Sequence, residues 1–165
     1  MSLEVCCDES YQKEFVPALS VPPLVIYSAS KEYKDHYEKY YCQEQIKTFD
    51  DIRVYFGKTK YEHAFYESSA RDGKKDIFSI ERAKRIDWIK ATLAHPHAEV
   101  YQGWAKKTKT YDSNRRVGII YESFVVVIQI AKRDHTNKPL TANFITAYVA
   151  DNSIKKIRKS PRWTT

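Results

Sequence analysis

At 165 residues and 19.4 kDa the chain is long enough for one domain with a real core, and its +7 net charge and pI near 9.2 favour acidic partners, nucleic acid ahead of anionic membrane. Only four glycines occur and none forms a phosphate-cradling glycine-rich loop, which argues against a nucleoside-triphosphate or dinucleotide enzyme. No apolar run reaches the ~18 residues of a bilayer span, and the start lacks the basic-then-apolar layout of a secretory signal, so a soluble, cytoplasmic protein with no membrane partner is expected.

The first segment, Met1 to Ser20, is polar with scattered apolar positions and is expected to be loosely held unless Phe15 and Val16 dock. Cys6, Cys7 and Cys42 are odd in number and show no paired spacing, so they predict plain thiols rather than a disulfide framework or a zinc cage. Pro22-Pro23-Leu24-Val25-Ile26-Tyr27 reads as an edge strand, because its prolines cannot donate to a ladder. Ser28 or Ser30 then caps a helix over roughly Lys31 to Thr48, whose stripe of Tyr33, Tyr37, Tyr40 and Tyr41 suits a core better than a base-stacking platform. Alternation of Ile52, Val54 and Phe56 with Arg53 and Tyr55 predicts a strand over Asp50 to Gly57.

After a basic linker comes His63-Ala64-Phe65-Tyr66, and then the chain's clearest helix, Ser79 to Leu93, capped by Ser79 and stopped at His95-Pro96. Stepping about 100° per residue, Phe78, Ile86, Ile89 and Leu93 fall near one line, and Arg82 falls on it too. A guanidinium cannot shed its charge, so Arg82 needs an anion. Either it bends to the rim and pairs with Glu67 or Glu81, or it points into a cleft that accepts phosphate, with Arg85 flanking it.

Strands are predicted over Glu99 to Trp104, Arg115 to Tyr121, Phe124 to Ala131 and Ala142 to Val149, with Lys106, Lys107 and Lys109 in the first connection. Short connections make these neighbours antiparallel, and the strand Phe124 to Ala131, apolar on both faces, belongs at the centre. On the last strand Ile145, Ala147 and Val149 share one face, suited to covering a helix; Phe144, Thr146 and Tyr148 share the other, which leaves Thr146 and Tyr148 on an open surface. The tail Lys155 to Trp163 is strongly basic, either a solvated terminus or a backbone-binding element. The whole predicts an α+β fold, helices first and then an antiparallel sheet of about four strands.

Among the five histidines, His36 and His135 look like bystanders, and His95 and His97 flank Pro96 without the carboxylates or cysteines a zinc site would add. His63 sits in an aromatic segment where partial desolvation would let it titrate near neutrality, either as a proton-transfer group or as a satisfied structural histidine. Metal-free RNA cleavage needs a base for the ribose 2′-hydroxyl, cations for the crowded phosphorane and a donor for the leaving 5′-oxygen. His63, Arg82, Thr146 and Tyr148 would supply those parts. Arg85, Lys106, Lys107, Lys109 and Arg116 would hold phosphates.

His63-x-Phe65, Arg82-x-x-Arg85-Ile86-x-Trp88-Ile89 ending in Leu93-x-x-Pro96, the strand Val125 to Ile130, and Phe144-Ile145-Thr146-Ala147-Tyr148 together resemble the barnase, EndoU, colicin and RelE-like (BECR-fold) nuclease superfamily, especially its phage-associated members. The resemblance covers about His63 to Trp163 and implies N-terminal helices packed on a curved antiparallel sheet of about four to five strands, with an N-terminal extension or helical layer (1–58) and a BECR-like nuclease domain (59–165). It implies a metal-independent endoribonuclease with no cofactor, RNA as substrate, His63, Arg82, Thr146 and Tyr148 as active-site positions, and the setting of a toxin or mobile-element protein with an inhibitor protein as partner. The EndoU branch uses a second histidine, for which this chain has no well-placed strand candidate. The alternative function is a non-catalytic basic module that binds nucleic acid or protein.

Overall fold

The computed structural model describes residues 20–164; the expectations for the segment before Ser20, including Phe15, Val16, Cys6 and Cys7, fall outside them. A six-stranded sheet runs in the order β1-β2-β8-β7-β6-β5. Its larger part is a meander of β5 (Glu99–Ala105), β6 (Thr110–Ile119), β7 (Phe124–Arg133) and β8 (Pro139–Val149), each antiparallel to the next. Beyond β8 the pattern changes: β2 (Arg53–Tyr55) runs parallel to it, with Val54 opposite Ala142, and β1 (Ile46–Lys47) closes the edge antiparallel to β2. A separate two-stranded ribbon pairs β3 (Tyr66–Glu67) with β4 (Ile77–Phe78).

This corrects the expected architecture of N-terminal helices on an antiparallel sheet of four to five strands. The sheet is mixed, it has six strands, and the helices are short and dispersed along the chain. They are α1 (Ser30–Tyr37), α2 (Lys60–Phe65), α3 (Ile80–Ala83), α4 (Ile86–Ala94) and α5 (Ile154–Ile157). None among the described residues is long and apolar enough to cross a membrane. The proline-led segment from Pro22 joins no ladder; Val25 donates to the Lys84 carbonyl and the Pro22 carbonyl accepts from the Trp88 indole, so it straps the helices instead.

Of the two long helices expected, the first ends at Cys42, so that Ile46 and Lys47 form β1 instead of its last turn, and the second is broken. The first begins after Ala29, where Glu32 reaches back to the backbone N–H groups of Ser28 and Ala29, and it loosens into a π-helical turn at Glu38–Cys42. Tyr33, Tyr37 and Tyr41 are buried in the core while Tyr40 stays exposed. The second is interrupted at Lys84–Arg85, where the Lys84 carbonyl serves Val25 and Arg85 bonds back to Arg82 with φ −95° and ψ 18°. Arg82 consequently lies in α3, and Ile86, Ile89 and Leu93 lie beyond the break in α4.

One face of the sheet, carrying Val126, Ile128, Ile130, Ala142, Phe144 and Ala147, packs on the aromatic helical layer of Tyr37, Tyr41, Phe65, Trp88 and Ile89. The other face carries Tyr101, Val117, Ile119, Val125 and Val127, and the isoleucines of α5 cover one end of it. The basic tail is anchored: Arg162 bridges Tyr101, and the Trp163 indole, buried, donates to the Ser113 carbonyl.

Candidate active site

Cross-strand partners in an antiparallel sheet share a face, so the pairs Thr146–Val127–Val117 and Tyr148–Val125–Ile119 carry two rows of side chains across β8, β7 and β6. A register shift between Val127 and Ile128, where Phe144 and Thr146 lie opposite consecutive residues, puts Ile145 out of step. Phe144 and Ala147 consequently both enter the core, whereas Thr146 and Tyr148 look out on the other side. There they line a groove of about 640 Å³, bounded by β5 and β6 on one flank and by Ser153, Lys156 and Ile157 at the tail.

The principal cation of the groove is Arg115, which strand alternation does not single out. Gly103 of β5 lies opposite Asp112 while Gln102 lies opposite Arg116, so Ser113, Asn114 and Arg115 are an insertion in β6 without partners on β5. The Arg115 side chain folds across Gly103; a Cβ built there would meet its Cγ at 2.5 Å and its Cδ at 2.6 Å. Arg82, Arg85, Arg116 and Arg158 are each held by a carboxylate. Arg115 has no carboxylate or hydrogen-bond partner among the described residues, and it lines the groove half-buried with Lys106 beside it.

On α2, Tyr61, Ala64 and Phe65 enter the core and His63 is left exposed, outside the residues that line the groove. Arg82 reaches from α3 to this helix. Its Nε meets the Glu67 carboxylate at 3.1 Å, its Nη1 donates to the Ala64 carbonyl at 3.3 Å, and its guanidinium carbon lies 5.8 Å from the Tyr148 ring centre. Arg82 thus combines both alternatives read from the sequence: it is paired with Glu67, and it borders the groove through Tyr148. The side chain is 17% exposed, so this pairing spares a charge held close to the interior.

The two titratable groups are driven in opposite senses. Partial burial, then the charges of Lys75, Lys60, Arg115 and Arg82, hold the His63 imidazolium below its ordinary value. Burial raises the Tyr148 phenol above its ordinary value, against the pull of Arg115 and Arg82. The same two guanidiniums act on both side chains. At neutral pH the imidazole is free to accept a proton and the phenol keeps its own, the division of labour an acid–base pair needs.

Of the nine sequence-derived positions, Thr146, Tyr148 and Lys106 line the groove, Arg82 borders it over the Tyr148 ring, and His63 lies outside its lining, near enough for the charges of Arg115 and Arg82 to act on it. Lys107 and Lys109 lie exposed on the β5–β6 turn, with Lys109 at φ 54°. Arg85 is bound to its own helix, donating to the Glu81 carbonyl and carboxylate and lying over Trp88. Arg116 is 3% exposed; both Asp50 carboxylate oxygens accept from its Nη1 at 2.9 Å, and its guanidinium lies over the rings of Phe49 and Trp163. It is a structural clamp, and its neighbour Arg115 occupies the position the sequence reading gave to it. Among the described residues no three ligating side chains gather where one metal ion could be held. Set against known protein families, curated proteins and solved structures, the chain matches none.

Proposed function

We propose that the protein is an endoribonuclease that cleaves RNA without a metal, by transesterification from the ribose 2′-hydroxyl, in the manner of the BECR-fold nucleases its motifs resemble. The observation that carries this reading is the groove in which Lys106, Thr146, Tyr148 and Arg115, without a carboxylate partner among the described residues, meet, with Arg82 on the Tyr148 ring and His63 nearby, where the charges of both arginines favour its neutral form. His63 takes the 2′-hydroxyl proton, the 2′-oxygen attacks phosphorus, and the bond to the 5′-oxygen breaks. Arg115 and Arg82 stabilise the phosphorane charge, Thr146 donates to a non-bridging oxygen, and the Tyr148 phenol protonates the leaving 5′-oxygen. The products are a 2′,3′-cyclic phosphate and a 5′-hydroxyl.

One observation favours a second reading, phosphate binding without turnover: Arg82 already has an anion in Glu67. A single assay separates the two. Purified protein incubated with end-labelled transfer RNA and messenger RNA is expected to release cyclic-phosphate ends equally with and without EDTA, and His63→Ala to lose about 100-fold or more in rate. Dependence on magnesium, or full activity in His63→Ala, would defeat the proposal. Retention of RNA with no cleavage would leave the binding reading.

A further inference from the structure

Trp104 of β5 and Tyr111 of β6 stand at the side of the groove next to Lys106, 50% and 39% exposed, with ring centroids 5.2 Å apart at 79°. The other two tryptophans are handled quite differently: Trp88 and Trp163 are buried, and their indole N–H groups donate to the carbonyls of Pro22 and Ser113. The Trp104 indole has no such partner among the described residues. The near-perpendicular, T-shaped arrangement lets Tyr111 support the indole while half of the tryptophan's surface stays open. Trp104 and Tyr111 are a cross-strand pair of the β5–β6 ladder, so their contact supports the hairpin, but the half of the indole left in solvent adds nothing to that contact.

We propose that Trp104, buttressed by Tyr111, is a stacking platform for an unpaired nucleobase, and that the phosphates of the same strand lie along Lys106 and Arg115. The ligand is therefore a single-stranded nucleic acid. Paired bases present no free face to a ring at the side of a groove, whereas any unpaired base does, whatever its identity. The assignment deepens the ribonuclease reading and rests on it only for the choice of RNA over DNA.

The test uses a short single-stranded 2′-O-methyl oligoribonucleotide, which lacks the attacking hydroxyl and cannot be cleaved. Affinity is followed by anisotropy of an end label, and stacking by quenching of the solvent-exposed tryptophan emission, which only Trp104 contributes. The single strand is expected to quench that emission. Trp104→Ala is expected to weaken binding about 10-fold or more, with Trp104→Phe recovering part of the loss. The same strand in a duplex, and an abasic strand with the same number of phosphates, should bind more weakly and leave the emission unchanged. Equal affinity of Trp104→Ala and wild type with circular dichroism unchanged, or equal binding of the abasic strand, would overturn the platform; so would no binding by the single strand while an aromatic or proline-rich peptide quenches the indole. Because none of these readings needs turnover, a protein that stacks but does not cleave would sink the ribonuclease reading alone. One that cleaves with KM unchanged in Trp104→Ala would sink the platform alone.

Discussion

His63 and Tyr148 owe their opposite titration to position. Partial burial, and after it the charges of Lys75, Lys60, Arg115 and Arg82, disfavour the His63 imidazolium, while Tyr148 is buried enough in the groove wall that a phenolate there would lose its hydration. The base form of His63 exists above its pKa, and that pKa lies below the ordinary 6.5, so kcat/KM should fall only as pH drops beneath 6.5. The acid form of Tyr148 exists below its pKa, which lies above 10, so no loss on the alkaline side is expected from it across the neutral range. A pH–rate profile in which the acidic limb lies above 6.5 would mean that His63 is not the base. Tyr148→Phe keeps the ring under Arg82 and removes only the proton, and it should cost about 100-fold in kcat with little change in KM. A hydroxyl that served only to pack would leave both constants alone.

The β5–β6 hairpin shows how one element determines where a charge goes. Three residues of β6 without partners on β5 turn Arg115 into the groove and Arg116 into the interior, and Gly103 leaves the space through which Arg115 passes. Gly103→Ala should therefore evict Arg115 and reproduce the activity loss of Arg115→Ala. The stability cost should be only about 1–3 kcal/mol, measured by urea unfolding. Activity preserved in Gly103→Ala would show that Arg115 does not act from this position. The same hairpin marks the limit of what the sequence reveals. Alternation holds as long as each residue faces one partner, and so β5 to β8 and the outward aim of Thr146 and Tyr148 were legible. An insertion shifts the period by an amount that composition does not encode, and this exchanged Arg115 for Arg116 and reversed Phe144. The parallel pairing of β2 with β8 was illegible for another reason: its partners, such as Val54 and Ala142, are far apart in the chain, and a three-residue strand carries too little pattern to announce a neighbour. Likewise the helix break at Lys84 depends on a carbonyl claimed by Val25, a contact made only once the fold exists.

At the scale of the molecule, a chain with +7 net charge must keep its cations apart or neutralise them, and it does both. Among the described residues Arg115, on the open face of the sheet, has no carboxylate partner, whereas Arg82, Arg85, Arg116 and Arg158 are each paired. The most deeply buried of these pairs joins distant parts of the chain: Asp50 from the β1–β2 connection, Arg116 from β6, and Trp163 from the tail all meet at one guanidinium. Thr48 steadies the carboxylate by donating to Asp50 at 2.6 Å, and it also accepts from the Ile52 backbone, so the connection is built around the ion pair. Removing only the carboxylate would strand a charge that is 3% exposed. Asp50→Ala should therefore destabilise the protein by about 3 kcal/mol, and the double variant Asp50→Ala with Arg116→Met should recover most of that loss. Both can be measured by denaturant unfolding, with the double-mutant cycle giving the coupling. Groove binding offers a second, independent reading: Arg116→Met in the double variant should leave nucleic-acid affinity and its salt dependence unchanged, since this guanidinium reaches no solvent-borne phosphate, whereas Arg115→Met should lower both. A salt slope that fell equally in the two would mean that the insertion in β6 does not separate the neighbouring arginines as its register requires.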